Sequence, residues 1–134
     1  MARHFVITAD GGSRGNPGAA AYGAVIYEND KIVKEIGAAI GQASNNVAEY
    51  SGLIAGLKGV NEIDPAATIL VKMDSKLVVE QMSGRWKVKH PNMQKLVKEA
   101  FAAHDPTLVS YQWIPREENS HADSILNDVL DSGM

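Results

Sequence analysis

The chain has 134 residues and a mass of 14.4 kDa, about one domain's worth, and a domain of that size buries roughly two-thirds of its unfolded surface. Hydrophobic residues make up 45% and charged residues 22%, which excludes a disordered chain. The absence of cysteine excludes disulfides, iron–sulfur clusters, thiol catalysis and cysteine-ligated zinc. Thirteen basic residues against 16 acidic ones, net −3, argue at first sight against a nucleic-acid partner, which calls for a basic protein.

The start of the chain shows no export signal. No stretch approaches the ~18 apolar residues of a membrane span. A cytoplasmic protein with no membrane partner is the expectation. Phe5 to Thr8 reads as a buried strand, apolar at both parities. The run from Asp10 to Gly18 is dense in turn residues. Ala20 to Tyr27 is a second strand, Glu28-Asn29-Asp30 a tight hairpin turn, and Lys31 to Ile40 a third strand. In that third strand simple alternation places Ile32, Lys34 and Ile36 on one face and Val33 and Glu35 on the other.

A helix capped by Asn45 or Asn46 follows, with Val47, Tyr50, Leu53, Ile54 and Leu57 as its apolar stripe. Gly52, Gly56 and Gly59 each cost ~1 kcal/mol against Ala in a helix, so they imply a helix lying close against a sheet. Asp64-Pro65 ends it. Thr68 to Met73 is a fourth strand, and Ser75 to Met82 a short helix with Ser75 near its cap. Pro91 to Ala103 is a further helix with Met93, Leu96, Val97 and Phe101 inward. Leu108 to Ile114 is a fifth strand, and Ser120 to Leu130 a final amphipathic helix. The β-β-β-α-β-α-α-β-α order predicts a five-stranded mixed α/β sheet with helices on both faces.

Most acids sit in turns or on polar helix faces, but four do not. Asp10 shares parity with Val6 and Thr8, Asp74 closes an apolar strand, Glu49 lies one turn before Leu53, and Asp123 lies on the inward stripe with Leu126 and Leu130. Buried carboxylates need partners. The only base at comparable parity is Lys72. Four acids short of cations are what a hard divalent ion satisfies, Mg²⁺ or Mn²⁺. Each acid also has an ordinary reading. Asp10 would start a turn, Asp123 would complete a capping box with Ser120, Asp74 would cap the next helix, and Glu49 would meet a helix dipole.

Four segments together resemble type 1 ribonuclease H. They are Asp10-Gly-Gly-Ser-Arg-Gly-Asn-Pro-Gly, Asn45-Asn46-Val-Ala-Glu49-Tyr, Met73-Asp74-Ser75-Lys-Leu-Val, and Trp113-Ile-Pro-Arg116-Glu-Glu-Asn119 running to Asp123. The likeness covers essentially the whole chain. It extends to actinobacterial versions in which such a domain is fused to a C-terminal phosphatase-like domain, so residues 1–134 read as a single ribonuclease H domain, either whole or excised from a longer chain of that kind. The resemblance implies a ribonuclease H-like fold and hydrolysis of the RNA strand of RNA–DNA hybrids, leaving 5′-phosphate and 3′-hydroxyl ends. It assigns Asp10, Glu49, Asp74 and Asp123 to a site for two Mg²⁺ ions, with Gly11 also among the metal positions and Mn²⁺ as a substitute.

The resemblance further places Gly12, Ser13, Asn16, Ser44, Asn45, Asn46, Ser75, Lys76 and Asn119 at substrate contacts, where the 2′-hydroxyl is what separates RNA from DNA. No Gly-Lys-Ser/Thr follows the glycine run, so it is not a nucleotide-binding P-loop. Two departures stand out. Ser83 to His90 is too short for the family's basic protrusion, although Arg85-Trp86-Lys87-Val88-Lys89-His90 still interleaves bases with an aromatic. Trp86, Lys87 and Lys89 are expected on the DNA strand, the competing reading being a buried Trp86 with solvated lysines. The short loop before Asp123 carries Arg116 where relatives place a histidine; Arg116 and His121 are the candidates to assist catalysis.

The alternative to an enzyme is a non-catalytic hybrid-binding module of the same fold, and a monomer is expected in either case. The net charge fits both. Residues 72–98 hold seven of the 13 bases and two of the 16 acids, a local +5. An acidic total therefore hides a basic strip beside a carboxylate cluster.

Overall fold

The computed structural model describes residues 3–132. Strand β1 (His4–Arg14) pairs antiparallel with β2 (Gly18–Glu28), and β2 pairs antiparallel with β3 (Lys31–Ala43). On its other side β1 pairs parallel with β4 (Thr68–Met73), which pairs parallel with β5 (Val109–Trp113). The strand order is β3-β2-β1-β4-β5. The mixed sheet is thus the one expected.

Helix α1 (Asn45–Ile63) lies on one face, and α4 (Ser120–Ser132) covers β2 and parts of β1 and β3 on the other. Helix α3 (Pro91–Ala103) packs on α1, and α2 (Lys76–Met82) follows β4. The main core lies under α1, where Phe5, Ile7, Ile26, Tyr50, Leu53, Leu57, Ile69 and Val71 are fully buried or nearly so. The cluster under α4 is much smaller, made of Ala21, Leu126 and Leu130 with Val129 against it. The α1 glycines behave as expected. A Cβ on Gly56 would stand 2.8 Å from Ile7 Cγ2, and one on Gly59 2.7 Å from Ile26 Cδ1. Their absence lets helix and sheet close on each other.

Several boundaries differ from the expected ones, each for a local reason. The glycine run is not a loop: β1 continues through it, with Gly11, Gly12, Ser13 and Arg14 opposite Tyr22, Ala21, Ala20 and Ala19. The turn is confined to the three residues before Gly18. Ser44, not Asn45 or Asn46, caps α1, its hydroxyl accepting from the Val47 N–H at 3.3 Å. The Asn45 side chain is engaged elsewhere. The Asn29-Asp30 turn takes positive φ at both residues, as a two-residue hairpin requires.

In β3 a register shift sets Tyr27 opposite Ile32 but Ile26 opposite Lys34. One extra residue breaks the simple alternation, so Ile32 and Lys34 fall on opposite faces. Phe101 is 41% exposed rather than inward, and Ala100 and Ala103 fill the face between α3 and the core instead. The fifth strand is shorter than expected because Pro106–Leu108 forms a 3-10 turn, with Asp105 Oδ1 accepting from the Thr107 N–H and hydroxyl. Among the described residues no helix is long and apolar enough to cross a bilayer.

Candidate active site

Pairing between β1 and β4 stops at Thr8 and Lys72. Beyond that point β1 follows β2 alone, and the two parallel strands part. Asp10, two residues past the last β1–β4 pair, and Asp74, just past the end of β4, stand on the two lips of this gap, the kind of crevice between parted strands where open α/β sheets place their ligands. Two glycines bring the other acids in. A Cβ on Gly11 would lie 2.2 Å from the Ala48 carbonyl carbon and 2.3 Å from the Glu49 nitrogen. Only glycine lets the first turns of α1 sit on β1, and this sets Glu49 beside Asp10. A Cβ on Gly23, the strand partner of Asp10, would lie 2.3 Å from the Ala122 carbonyl oxygen, so the first turn of α4 and Asp123 rest there.

Asp10, Glu49, Asp74 and Asp123 therefore line one depression of about 340 Å³, together with Gly11, Gly12, Ser13, Asn45 and Arg116. Each carboxylate has a neutral donor. The Gly11 N–H donates to Asp10 Oδ1 at 2.9 Å, and the Ser75 hydroxyl to Glu49 Oε1 at 3.2 Å. Asn119 Nδ2 donates to Asp74 Oδ1 at 2.7 Å, and Asn127 Nδ2 to Asp123 Oδ2 at 3.2 Å. None of the four forms an ion pair among the described residues. Lys72, the base expected at comparable parity, faces a different hollow with Thr8, Ile114 and Glu118.

The consequence is a local shortage of positive charge. Burial, with the Asp74 and Asp123 carboxylates alongside, pushes Asp10 up to about 8. Burial pushes Glu49 up to about 7, the Ser75 hydroxyl pulling it part of the way back and Asp74 pushing further. The capping-box reading of Asp123 falls away. Its N–H donates to the Asn119 carbonyl, which puts Ser120 inside the helix.

A divalent ion fits this donor set. The donors are hard carboxylate oxygens with no cationic partner among the described residues. Among the described residues no three histidine or acid side chains enclose a single ion position by themselves. Mg²⁺ needs only one or two protein carboxylates, its remaining ligands coming from water and substrate phosphate.

The expected substrate contacts divide into three groups. Ser13 and Asn16 are tied to Asn45: its Oδ1 accepts from the Ser13 N–H and hydroxyl, both at 2.9 Å, and its own N–H donates to Asn16 Oδ1 at 3.1 Å. Ser44 and Asn46 line a separate crevice with His90 and Asn92. Trp86, Lys87 and Lys89 are exposed, which removes the buried-tryptophan alternative. Three expectations need correcting. Ser75 and Asn119 are buried behind the acids at 7% and 2% exposure, out of reach of a large substrate. Lys76 is not one of these: it is exposed, with its ammonium 5.9 Å from the Trp113 ring centroid, and stays available to a substrate that extends beyond the depression. His121 points away from the acids and meets Glu35 of β3 at 2.8 Å. Arg116, by contrast, is exposed at the edge of the depression.

Two residues on the depression escaped the reading of the sequence. Arg14 lines it while paired with Asp131. Asn127 lies one helical turn after Asp123, and that spacing was the available signal.

The family model described as reverse transcriptase-like matches residues 8–129. The bifunctional protein Rv2228c of Mycobacterium tuberculosis is 55% identical over 130 residues, covering 95% of this chain but 35% of that protein. The chain thus spans about a third of the length of such relatives. The solved N-terminal RNase H domain of that mycobacterial protein superposes with a TM-score of 0.91 at 51% identity, over 98% of this chain and 96% of the other. The LC11 RNase H1, solved in complex with an RNA/DNA hybrid, superposes with a TM-score of 0.89 at 34% identity, over 96% and 98%.

Proposed function

The chain belongs to the ribonuclease H family, and from that premise we propose that it is an endonuclease cleaving the RNA strand of RNA–DNA hybrids to leave 5′-phosphate and 3′-hydroxyl ends. The observation that carries the proposal is the depression lined by Asp10, Glu49, Asp74 and Asp123, none of which forms an ion pair among the described residues. These four would hold two Mg²⁺ ions, with Mn²⁺ as a substitute. Held there, the ions would supply activation of a water and charge compensation at the departing 3′-oxygen.

The chain's own residues do the rest. The Ser75, Asn119 and Asn127 donors orient the carboxylates. The Asn45 amide, whose oxygen is held by Ser13, keeps its Nδ2 as a donor at the edge of the depression. The Arg116 guanidinium stands where a scissile phosphate would bring negative charge. Trp86, Lys87 and Lys89 offer an aromatic face and two charges to the DNA strand, positioning contacts that carry no sequence information. Residues 1–134 act in this reading as one monomeric ribonuclease H domain, and the length of its relatives supports a place within a longer protein. A cytoplasmic site of action goes with such a substrate.

Asp10→Asn removes one of the four carboxyl groups while keeping shape. Incubated with labelled RNA–DNA hybrid and Mg²⁺, that variant is expected to bind the hybrid and leave it intact, where the wild type cuts the RNA strand. Duplex DNA and single-stranded RNA are expected to survive both proteins. Cleavage by Asp10→Asn at the wild-type rate defeats the metal assignment, and equal cleavage of all three substrates defeats hybrid recognition. A wild type that binds the hybrid without cutting it is instead the binding module.

A further inference from the structure

The Asn119 side chain lies at 2% exposure in the loop before α4, yet it touches parts of the chain that are far apart in sequence. Its Nδ2 donates to the Ala9 carbonyl at 2.8 Å, one residue before Asp10, and to Asp74 Oδ1 at 2.7 Å. Its backbone carbonyl accepts from the Asp123 N–H at 3.1 Å, and its own N–H donates to the Arg116 carbonyl at 2.9 Å. One residue thus joins the strand of Asp10, the carboxylate of Asp74, the first turn of the helix that carries Asp123, and the turn that carries Arg116.

The amide is committed to this task. Both Nδ2 hydrogens face acceptors, so turning the amide over would set oxygen against oxygen twice. The remaining atom, Oδ1, is buried and has no partner among the described residues. A buried acceptor left unpaired costs free energy, which the two bonds made by Nδ2 offset. We infer that Asn119 is a positioning residue of the metal site: it aims Asp74 and locks β1 to the start of α4, so that the carboxylates hold a divalent ion in register, and it makes no contact with the nucleic acid.

The inference rests on the reading of the four acids as metal ligands, but its test does not depend on cleavage. Donors behind metal ligands typically affect metal affinity or activity by about 10–100-fold. Mn²⁺ titrated calorimetrically into Asn119→Ala is expected to bind at least about tenfold more weakly than into the wild type. Hybrid affinity, measured without divalent ions, is expected to stay unchanged. Leu57→Ala, in the main core, serves as a destabilised control and is expected to bind Mn²⁺ as the wild type does.

Equal Mn²⁺ binding by Asn119→Ala and wild type overturns the inference. So does a hybrid affinity that falls while Mn²⁺ binding holds, which marks a substrate contact. Equal weakening in Leu57→Ala also overturns it, because the effect is then general instability. Should Asn119→Ala not fold, the wild type decides. Mg²⁺ is expected to shift the Asn119 side-chain amide resonances more than those of Asn61, which is bonded to His104 instead, and no such difference ends the idea. If the wild type binds Mn²⁺ but never cuts the hybrid, the enzymatic reading fails while the positioning role stands.

Discussion

The two faces of the sheet are built on opposite principles. Under α1 lies a broad apolar core, with helix and strands drawn together by a row of glycines. Under α4 the buried cluster is three residues deep, and the space toward the chain's acids is polar. Asp10 projects to the α4 side of β1, while Glu49 reaches it from α1 around the lip of the sheet. The rigid face positions and the thin face opens. An open cleft is cheapest to build where little apolar packing is given up.

Substitutions on the two sides sharpen this contrast, the largest effect first. Gly11→Ala drives a methyl into the backbone of Ala48 and Glu49. Because backbone cannot step aside as a side chain can, the loss is expected to exceed the ~1–3 kcal/mol of ordinary overpacking, and Mn²⁺ binding is expected to fall with it. A thermal melt close to wild type would show that α1 is free to move away from β1. Leu57→Ala, at 1% exposure in the main core, is expected to cost about 3–5 kcal/mol by denaturant titration. Leu130→Ala, at 9% exposure in the small cluster, is expected near the lower end, about 2 kcal/mol. Equal losses at the two positions break the comparison.

The remaining effect concerns pH. Asp10 in the folded chain holds its proton up to about 8, against an ordinary value near 3.8. The folded state therefore binds more protons than the unfolded state between those values. The stability this lends is full below about 4 and is lost as pH rises toward 8. Glu49 acts in the same direction up to about 7. In EDTA, Asp10→Asn is expected to melt progressively above the wild type as pH climbs from 4 to 8, and Mg²⁺ is expected to close the difference by stabilising the wild type. A difference that does not change with pH excludes Asp10 as the titrating group.

The positions of the acids were legible because each stands beside a strong local signal. Asp10 follows an apolar strand, Asp74 closes another, and Glu49 and Asp123 share stripes with leucines. The glycines of α1 were legible for the same reason, since nothing but close packing excuses them in a helix. What surrounds the acids was not legible. Ser75 and Asn119 look like polar residues free to meet a ligand, and only the folded chain turns them inward behind Glu49 and Asp74. His121 lies two residues from Asp123, but successive helix positions face different ways, and its ring goes to Glu35. The glycine run after Asp10 carries turn chemistry, yet pairing with Ala19 to Tyr22 draws it into the sheet. Propensity yields there to a neighbour too far along the chain for local pattern to reveal.

The hydrogen bond between Asn119 and Ala9 spans 110 residues. During synthesis β1 leaves the ribosome long before its partner exists. By then the strands and α1 to α3 are available to build the main core, while the cleft still lacks Asp123, Arg116 and the donor that aims Asp74. The cluster of four carboxylates is therefore complete only once Asp123 has been made, when every residue of the main core, which ends at Ala103, is already available to pack.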